Sequence, residues 1–270
     1  MCGRYVIVTK IVEVEKRFQV EAEPGLIDFL PRFNLGPGSK GLVITDAQPD
    51  TLQSYIFGYT PFWSKKKLYI FNARAEGDKN KENDMTYAGA KEIFLKPMFR
   101  HSIRSKRCLI IADAFIEGPE KEKLSKPYLV YLRNKKRPFA FAGLWDEWAD
   151  KSTGEVHHGY AIITTMPNEV TAAVGHHRSP VILDSSREKE WLSPDAELQD
   201  VLSMLDPYPA SEMNAYPISA DIKDPREEGK ELIMPIGEPL FKETEIQLYE
   251  ELRLEGMGMT TGRRGRLYQN

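Results

Sequence analysis

Cysteine is scarce in this chain: Cys2 and Cys108 are the only two in 270 residues. That count excludes a disulfide framework and makes a reducing cytoplasm the expected compartment. There is no Cys-x-x-Cys, and His157-His158 and His176-His177 lack partner ligands at metal-binding spacing, so neither a metal nor another cofactor is expected. No apolar run reaches the ~18–20 residues of a membrane-spanning helix. The N-terminus has no basic region followed by an apolar stretch, so no secretory signal is expected. A phosphate-cradling glycine fingerprint and a Gly-x-Ser-x-Gly nucleophile elbow are also missing, which sets aside two common enzyme classes. The formal net charge of −3 excludes a surface coated in positive charge, though a local basic groove needs only a few residues. Lys65, Lys66 and Lys67, and the Arg100–Arg107 stretch with Arg104, Lys106 and Arg107, are the clusters available for one. Each such cluster is more often a solvated face than a phosphate track.

What is present is the composition of a folded domain, 41% hydrophobic and 29% charged, in a chain long enough to bury a full core. Strands are expected at Arg4–Val8, Leu42–Thr45, Leu52–Tyr59, Ile70–Ala75, Tyr160–Thr165 and Val181–Leu183. The continuous apolar run Cys108–Ile116 reads as one buried strand. Tyr128–Leu132 and Phe139–Trp145 flank Arg133-Asn134-Lys135-Lys136-Arg137 and read as a hairpin. Ile11, Val14 and Phe18 recur at helical spacing behind Thr9 as N-cap. Helices are also expected over Tyr87–Phe99, from Asp184 or Ser185 through Trp191, and over Asp195–Leu205. Pro31–Gly38, Pro61–Lys67 and Asp78–Thr86 read as loops or turns. The irregular alternation lacks a βαβ rhythm and points to an α+β fold, a mainly antiparallel, barrel-like sheet core with flanking helices. The expected layout is one domain over 2–236, a helical extension over 237–255, and a disordered tail over 256–270 rich in Gly, Thr and Arg.

The most informative residue is Cys2. A small residue at position 2 favours removal of Met1, and the new terminus then carries an α-amine and a thiol on adjacent carbons. Such a 1,2-aminothiol condenses with an aldehyde, first as a Schiff base and then as a five-membered thiazolidine. An α-amine titrates near ~7.7–8.0 against ~10.4 for lysine, so at neutral pH far more of it is nucleophilic. The thiol is already beside the imine carbon, so ring closure is intramolecular. A cysteine at position 2 also arises by chance.

Three further groups carry chemistry. Asn72, Arg74 and Glu76 share one face of a strand-like stretch by period two, a pattern that fits a phosphate or nucleotide backbone, or an ordinary ion pair. Glu117 closes an apolar run, where desolvation raises a carboxyl toward neutrality and suits a general acid–base; a solvated acid at a turn fits the same position. His176-His177 follows Gly175 and serves either proton transfer or structure. Cys108 reads as a core residue.

In order along the chain, Met1-Cys2-Gly3-Arg4-Tyr5, Arg32-Phe33-Asn34 with Pro37-Gly38, Gly58-Tyr59-Thr60-Pro61 before Trp63, and Asn72-Ala73-Arg74 form one set of motifs. Arg107-Cys108 through Asp113 to Glu117-Gly118, Thr164-Thr165, His176 through Leu183, and Glu231-Leu232-Ile233 complete it. The set resembles the SRAP family (SOS response-associated peptidase domain), also called abasic-site processing or DNA–protein crosslinking proteins. The resemblance implies an enzyme that senses abasic sites in single-stranded DNA. Cys2 would join the lesion as a thiazolidine, with self-cleavage ahead of Cys2, or peptidase and lyase chemistry, as related activities. By matching position it implies catalytic roles for Cys2, Asn72, Glu117 and His176: nucleophile, orienting residue, proton shuttle, and the group assisting ring opening and closure. DNA contacts fall to Arg4, Trp63, Arg74, Thr165 and Arg178. The implied partner is single-stranded DNA carrying abasic sites, met by a monomer without membrane or metal, in the cytoplasm or on a bacterial nucleoid.

Three positions depart from the family pattern: Ser64 stands where a second aromatic is common, Ser179 where Met or Arg is usual, and Asp224 to Glu227 where asparagines are frequent. Two other readings stay open on the residues alone. One is an N-terminal-cysteine peptidase or amidohydrolase; the other is a noncovalent reader of single-stranded or modified DNA.

Overall fold

The structure, a computed structural model, describes residues 2–26, 29, 31–134 and 136–243. Its strands form two sheets. Five of them, β4 (Lys40–Thr45), β5 (Gln48–Phe57), β7 (Arg107–Ala112), β10 (Phe139–Ala149) and β11 (Val156–Thr165), close a barrel in the order β11-β10-β7-β4-β5. The first four junctions are antiparallel, and β5 returns to β11 in parallel, with Ile56 opposite Gly159 and Phe57 opposite Tyr160. Closure removes the exposed edges that an open sheet would leave. Short strands β2 (Glu21–Ala22), β6 (Asn72–Arg74) and β12 (Ser179–Pro180) extend the barrel wall. The second sheet runs β13 (Met213–Pro217), β9 (Tyr128–Leu132), β8 (Ala114–Glu117), β1 (Tyr5–Ile7), β3 (Arg32–Leu35). The expected α+β class with a mainly antiparallel, barrel-like core is the fold observed.

Period-two alternation decides what each face of the small sheet covers. Tyr5, Ile7 and Phe115 turn into the main core with the barrel residues, while Val6, Val8, Ala114 and Ile116 form a second apolar cluster with Tyr216, Ile222 and Ile233. The strand is therefore apolar throughout because both faces are buried.

Asp113 explains why Cys108–Ile116 is two strands and not one. Its Oδ2 accepts from Val8 N (2.6 Å) and Thr9 N (2.8 Å), and its Oδ1 from Thr9 Oγ1 (2.6 Å). These bonds take the chain from the barrel into the small sheet between β7 and β8. They also remove Thr9 from its expected capping role: α1 (Ile11–Phe18) starts behind Lys10 with no side-chain cap. The expected hairpin is corrected likewise. β9 pairs with β8 and β13, whereas β10 pairs with β7 and β11, so the two strands belong to different sheets. Arg32–Leu35, expected as loop, is strand β3 against β1. Tyr87–Phe99 forms only a 3₁₀ turn at Glu92–Leu95; Ile93 is its buried anchor and Leu95 points outward. Gly89 and Pro97 interrupt any longer helix.

The remaining helices are short: α2 (Ser102–Ser105), α3 (Glu169–Ala173), α4 (Glu188–Leu192) and α5 (Leu198–Ser203). Asp184 caps the turn before α4 by accepting from Ser186 N at 2.9 Å. Of the helical extension expected over 237–255, residues 237–243 are described and are not helical. The rest of it and the 256–270 tail lie outside the described residues.

Candidate active site

The small sheet and the barrel meet where β1 begins and β8 ends. Tyr5 stands opposite Phe115, and Ile116 N–H reaches Arg4 O at 2.9 Å, so the next step of the ladder brings Glu117 alongside the start of the chain. β6 approaches from the barrel side, held parallel to β11 with Asn72 opposite Ile162 and Arg74 opposite Thr164. The fourth element is the loop after α3. An Asn168–Thr171 capping box starts this helix, and Gly175, at φ +84°, ends it in the left-handed region that glycine tolerates. Glu120 N–H donates to Gly175 O at 3.1 Å, which joins this loop to the one following β8.

Four sequence-predicted residues converge there. Cys2 is 1% exposed. Asn72 Nδ2 donates to Cys2 O at 2.9 Å, fixing the backbone of the second residue. Asn72 Oδ1 is buried without a hydrogen-bond partner, while Glu117 faces both the Cys2 thiol and His176. Glu117 Oε2 lies 3.3 Å from His176 Nε2, and His176 Nδ1 lies 2.9 Å from Gly118 O. A carbonyl only accepts, so Nδ1 carries the proton and Nε2 faces Glu117 as an acceptor in the neutral ring.

Electrostatics follow from burial. Desolvation raises the Glu117 carboxyl to about 7, partly opposed by the nearby amino terminus and by Cys2. Desolvation lowers His176 to about 3, and the terminus adds to the fall. Near neutrality the Glu117 carboxyl is about half protonated beside a neutral imidazole, able to give or take one proton. Burial also raises the Cys2 thiol well above its ordinary value, and Glu117 reinforces the rise. The thiol is therefore protonated and depends on a neighbouring base for activation.

The predicted DNA contacts divide. Trp63, 52% exposed, and Phe62, 54% exposed, project from one tight turn. Phe62 supplies the second aromatic where Ser64 does not. Arg74 is half-buried, with one nitrogen on Asn80 O at 2.8 Å. Arg4 lies across Gly36, where a Cβ would meet its Nη1 at 1.6 Å, and the charges of Asp224 and Glu228 act on it. Thr165 is buried, with Lys91 Nζ 3.4 Å from its hydroxyl. Arg178, also expected among the DNA contacts, is a buried residue. It is 1% exposed, and its Nη2 donates to Glu76 Oε2 and Thr164 O, each at 2.7 Å. A buried guanidinium needs such a partner, and Glu76 therefore pairs with Arg178 and not with its strand neighbour Arg74.

Of the basic stretch at 100–107, Arg107 and Lys106 are engaged internally, whereas Arg104 stays exposed with Nη1 on Arg100 O at 2.7 Å. Arg107 donates to Trp191 O (2.7 Å) and Ser193 O (2.6 Å), and Lys106 pairs with Asp146 at 2.5 Å. Sequence reasoning missed Asp146, Lys91 and the Gly118 carbonyl. An acid between Trp145 and Trp148 was the available signal for Asp146; nothing local marks the other two. Among the described residues no group of three or more His, Cys, Asp or Glu side chains is arranged to hold a metal ion. No helix there is long and apolar enough to cross a membrane.

Comparison with known proteins places the arrangement. The chain is 33% identical over 239 residues to the abasic site processing protein YoqW of Bacillus subtilis, covering 86% of this chain and 99% of that one. It is 26% identical over 242 residues to the abasic site processing protein HMCES of Gallus gallus, covering 77% and 67%. A crystal structure of a Bacteroides thetaiotaomicron protein superposes with a TM-score of 0.71 at 28% identity, covering 84% of this chain and 97% of that one. The family profile described as SOS response associated peptidase (SRAP) matches residues 1–225, and the chain belongs to that family.

Proposed function

We propose that this protein processes abasic sites in single-stranded DNA by capturing the opened sugar covalently through Cys2. The observation that carries the reading is the convergence of Asn72, Glu117 and His176 on the second residue of the chain. Asn72 Nδ2 holds Cys2 O at 2.9 Å, and Glu117 stands 3.3 Å from His176. The names of the similar proteins, abasic site processing proteins, support it.

Removal of Met1 frees the Cys2 amine. The neutral amine attacks the C1′ aldehyde of the ring-opened deoxyribose to give a carbinolamine. Loss of its hydroxyl as water leaves the imine. Glu117, near 7, donates the proton that water departure needs and then accepts the thiol proton. The sulfur adds to the carbon of the still-protonated imine, whose π electrons move to nitrogen, closing the thiazolidine with the ring N–H already in place. One water is released overall, and Glu117 returns to its starting state. His176, neutral and anchored on Gly118 O, assists sugar opening and exchanges a proton with Glu117. Burial of the thiol in its protonated form keeps it from unproductive oxidation until the aldehyde arrives. Arg4 and Arg74 face the DNA backbone, and Phe62 and Trp63 stack on bases beside the lesion.

The test is a labelled abasic oligonucleotide run on a denaturing gel, with intact mass of the product. Capture predicts a heat-resistant shifted band, absent in Cys2→Ala and in a protein extended at its N-terminus. A band that persists in Cys2→Ala places the bond elsewhere and ends the reading. Turnover of peptides or amides without DNA would favour the N-terminal-cysteine hydrolase instead. Salt-sensitive binding lost on denaturation would favour the noncovalent reader.

A further inference from the structure

The aromatic turn at Pro61–Ser64 is tied down at both ends by one strand of the barrel. From β10, Asp146 Oδ2 accepts from Phe62 N at 2.8 Å, and two residues on, Trp148 Nε1 donates to Ser64 O at 2.8 Å. Alternate residues of a strand point the same way, so both reach the turn from one face of β10. The turn closes on itself through Ser64 N to Pro61 O at 2.9 Å. Asp146 is 1% exposed. Its other oxygen receives Lys106 Nζ at 2.5 Å and Glu147 N at 2.8 Å, and Tyr59 Oη lies 3.4 Å from Oδ2. Lys106 in turn sits 5.0 Å from the centre of the Trp145 ring. A carboxylate so fully coordinated has one available geometry. Between the two tethers, Phe62 and Trp63 stay more than half exposed, with Phe62 steadied by the edge of His101 at 5.5 Å.

Two large rings held out in water by a tethered backbone form a stacking platform whose ordering is completed before a ligand arrives. We propose that Asp146 and Trp148 are positioning residues for DNA: they pre-set the Phe62–Trp63 turn so that unpaired bases next to the lesion stack on rings already in place. This rests on the DNA-capture reading and extends it. The two side chains touch neither DNA nor the reacting atoms. Their effect is on affinity, since a loose turn must be ordered on binding and a fixed one need not be.

Two measurements separate the ideas. Fluorescence anisotropy with single-stranded DNA carrying tetrahydrofuran at the lesion position reports affinity without an aldehyde. Single-turnover crosslinking to aldehyde-bearing abasic DNA at saturation reports the chemical step. Asp146→Ala is expected to raise Kd about 3- to 10-fold and Trp148→Phe about 2- to 5-fold, with the saturating crosslinking rate within about twofold of the parent. Asp146→Asn keeps an acceptor for the Phe62 N–H and is expected to recover most of the affinity. Adding Asp146→Ala to Trp63→Ala is expected to cost no more than Trp63→Ala alone, because the platform is already lost. Unchanged Kd in Asp146→Ala and Trp148→Phe, full additivity with Trp63→Ala, or a lowered saturating rate at parental Kd each overturns the proposal. Should Asp146→Ala not fold, Trp148→Phe alone decides, since it removes one hydrogen bond and keeps an aromatic ring. A parent protein that binds tetrahydrofuran DNA but forms no heat-resistant adduct sinks the capture chemistry and leaves the clamp standing. A parent that does not bind this DNA sinks both.

Discussion

Glu117 is where burial and chemistry meet. Its carboxyl titrates at about 7 in the folded chain against an ordinary 4.5, with desolvation as the main cause. Between those values the folded state binds more protons than the unfolded state, so stability falls as pH rises through this window. His176 has the opposite sign: lowered to about 3 from 6.5, it makes stability rise with pH over its own window. The two oppose each other up to about 6.5, and above that the cost of ionising Glu117 stands alone. Glu117→Gln is therefore expected to be more stable than the parent at pH 8, by roughly 3 kcal/mol, and equal to it at pH 4. Urea melts at the two pH values check this; coincident pH–stability curves would show that the carboxyl is not held neutral by burial. The same variant should slow adduct formation by ~10²-fold or more and flatten the limb of its pH profile near 7. His176→Ala is expected to slow capture while the affinity for tetrahydrofuran DNA stays within about twofold. The candidate catalytic residues were singled out by residue type, and the resemblance to the SRAP family joined them into one set. The Glu117–His176 contact was not legible, since it depends on Gly175 folding one loop onto another.

At the scale of elements, Asp113 decides the topology. A run of apolar residues from Cys108 to Ile116 looks like one strand because the chain is buried on both sides of the crossing, and periodicity reports burial, not sheet membership. Only the carboxylate in its middle marks the break. It satisfies the backbone of Val8 and Thr9 from the turn after β1. Asp113→Ala leaves those N–H groups buried without acceptors and is expected to destabilise the protein by roughly 3–5 kcal/mol, read as a loss of denaturant midpoint. A change under ~1 kcal/mol would mean that the crossing is held by packing alone. Partner choice among strands was hidden for the same reason: β9 and β10 are both apolar and adjacent in sequence, yet they belong to different sheets.

Across the whole molecule, the net charge of −3 limits how DNA can be held. Several cations that the sequence offers are occupied: Arg107 by backbone carbonyls, Lys106 by Asp146, Arg178 by Glu76. Arg4 and Arg74, with Lys91 paired to the exposed Asp206 at 3.0 Å, make a small electrostatic footprint. Affinity for tetrahydrofuran DNA is expected to fall with salt at a log–log slope of only about −2, at ~0.7 per phosphate contacted. Arg74→Gln should reduce that slope by about 0.7. A parental slope steeper than about −5 would reveal a larger basic track than this one. On the proposed capture reading, stacking and the covalent step are expected to supply most of the binding energy.

By itself, the sequence determined the class of core, the alternating strands and the presence of a 1,2-aminothiol precursor with a carboxyl, an amide and an imidazole, because those follow from residue type and local period. Tertiary structure alone decided that β5 closes on β11, that Asp113 switches sheets, that Arg178 lies buried on Glu76, and that β10 grips the aromatic turn. Each of these is a contact between residues far apart in the chain. Its free energy depends on burial and hydrogen-bond geometry, which exist only once the barrel and the small sheet have packed.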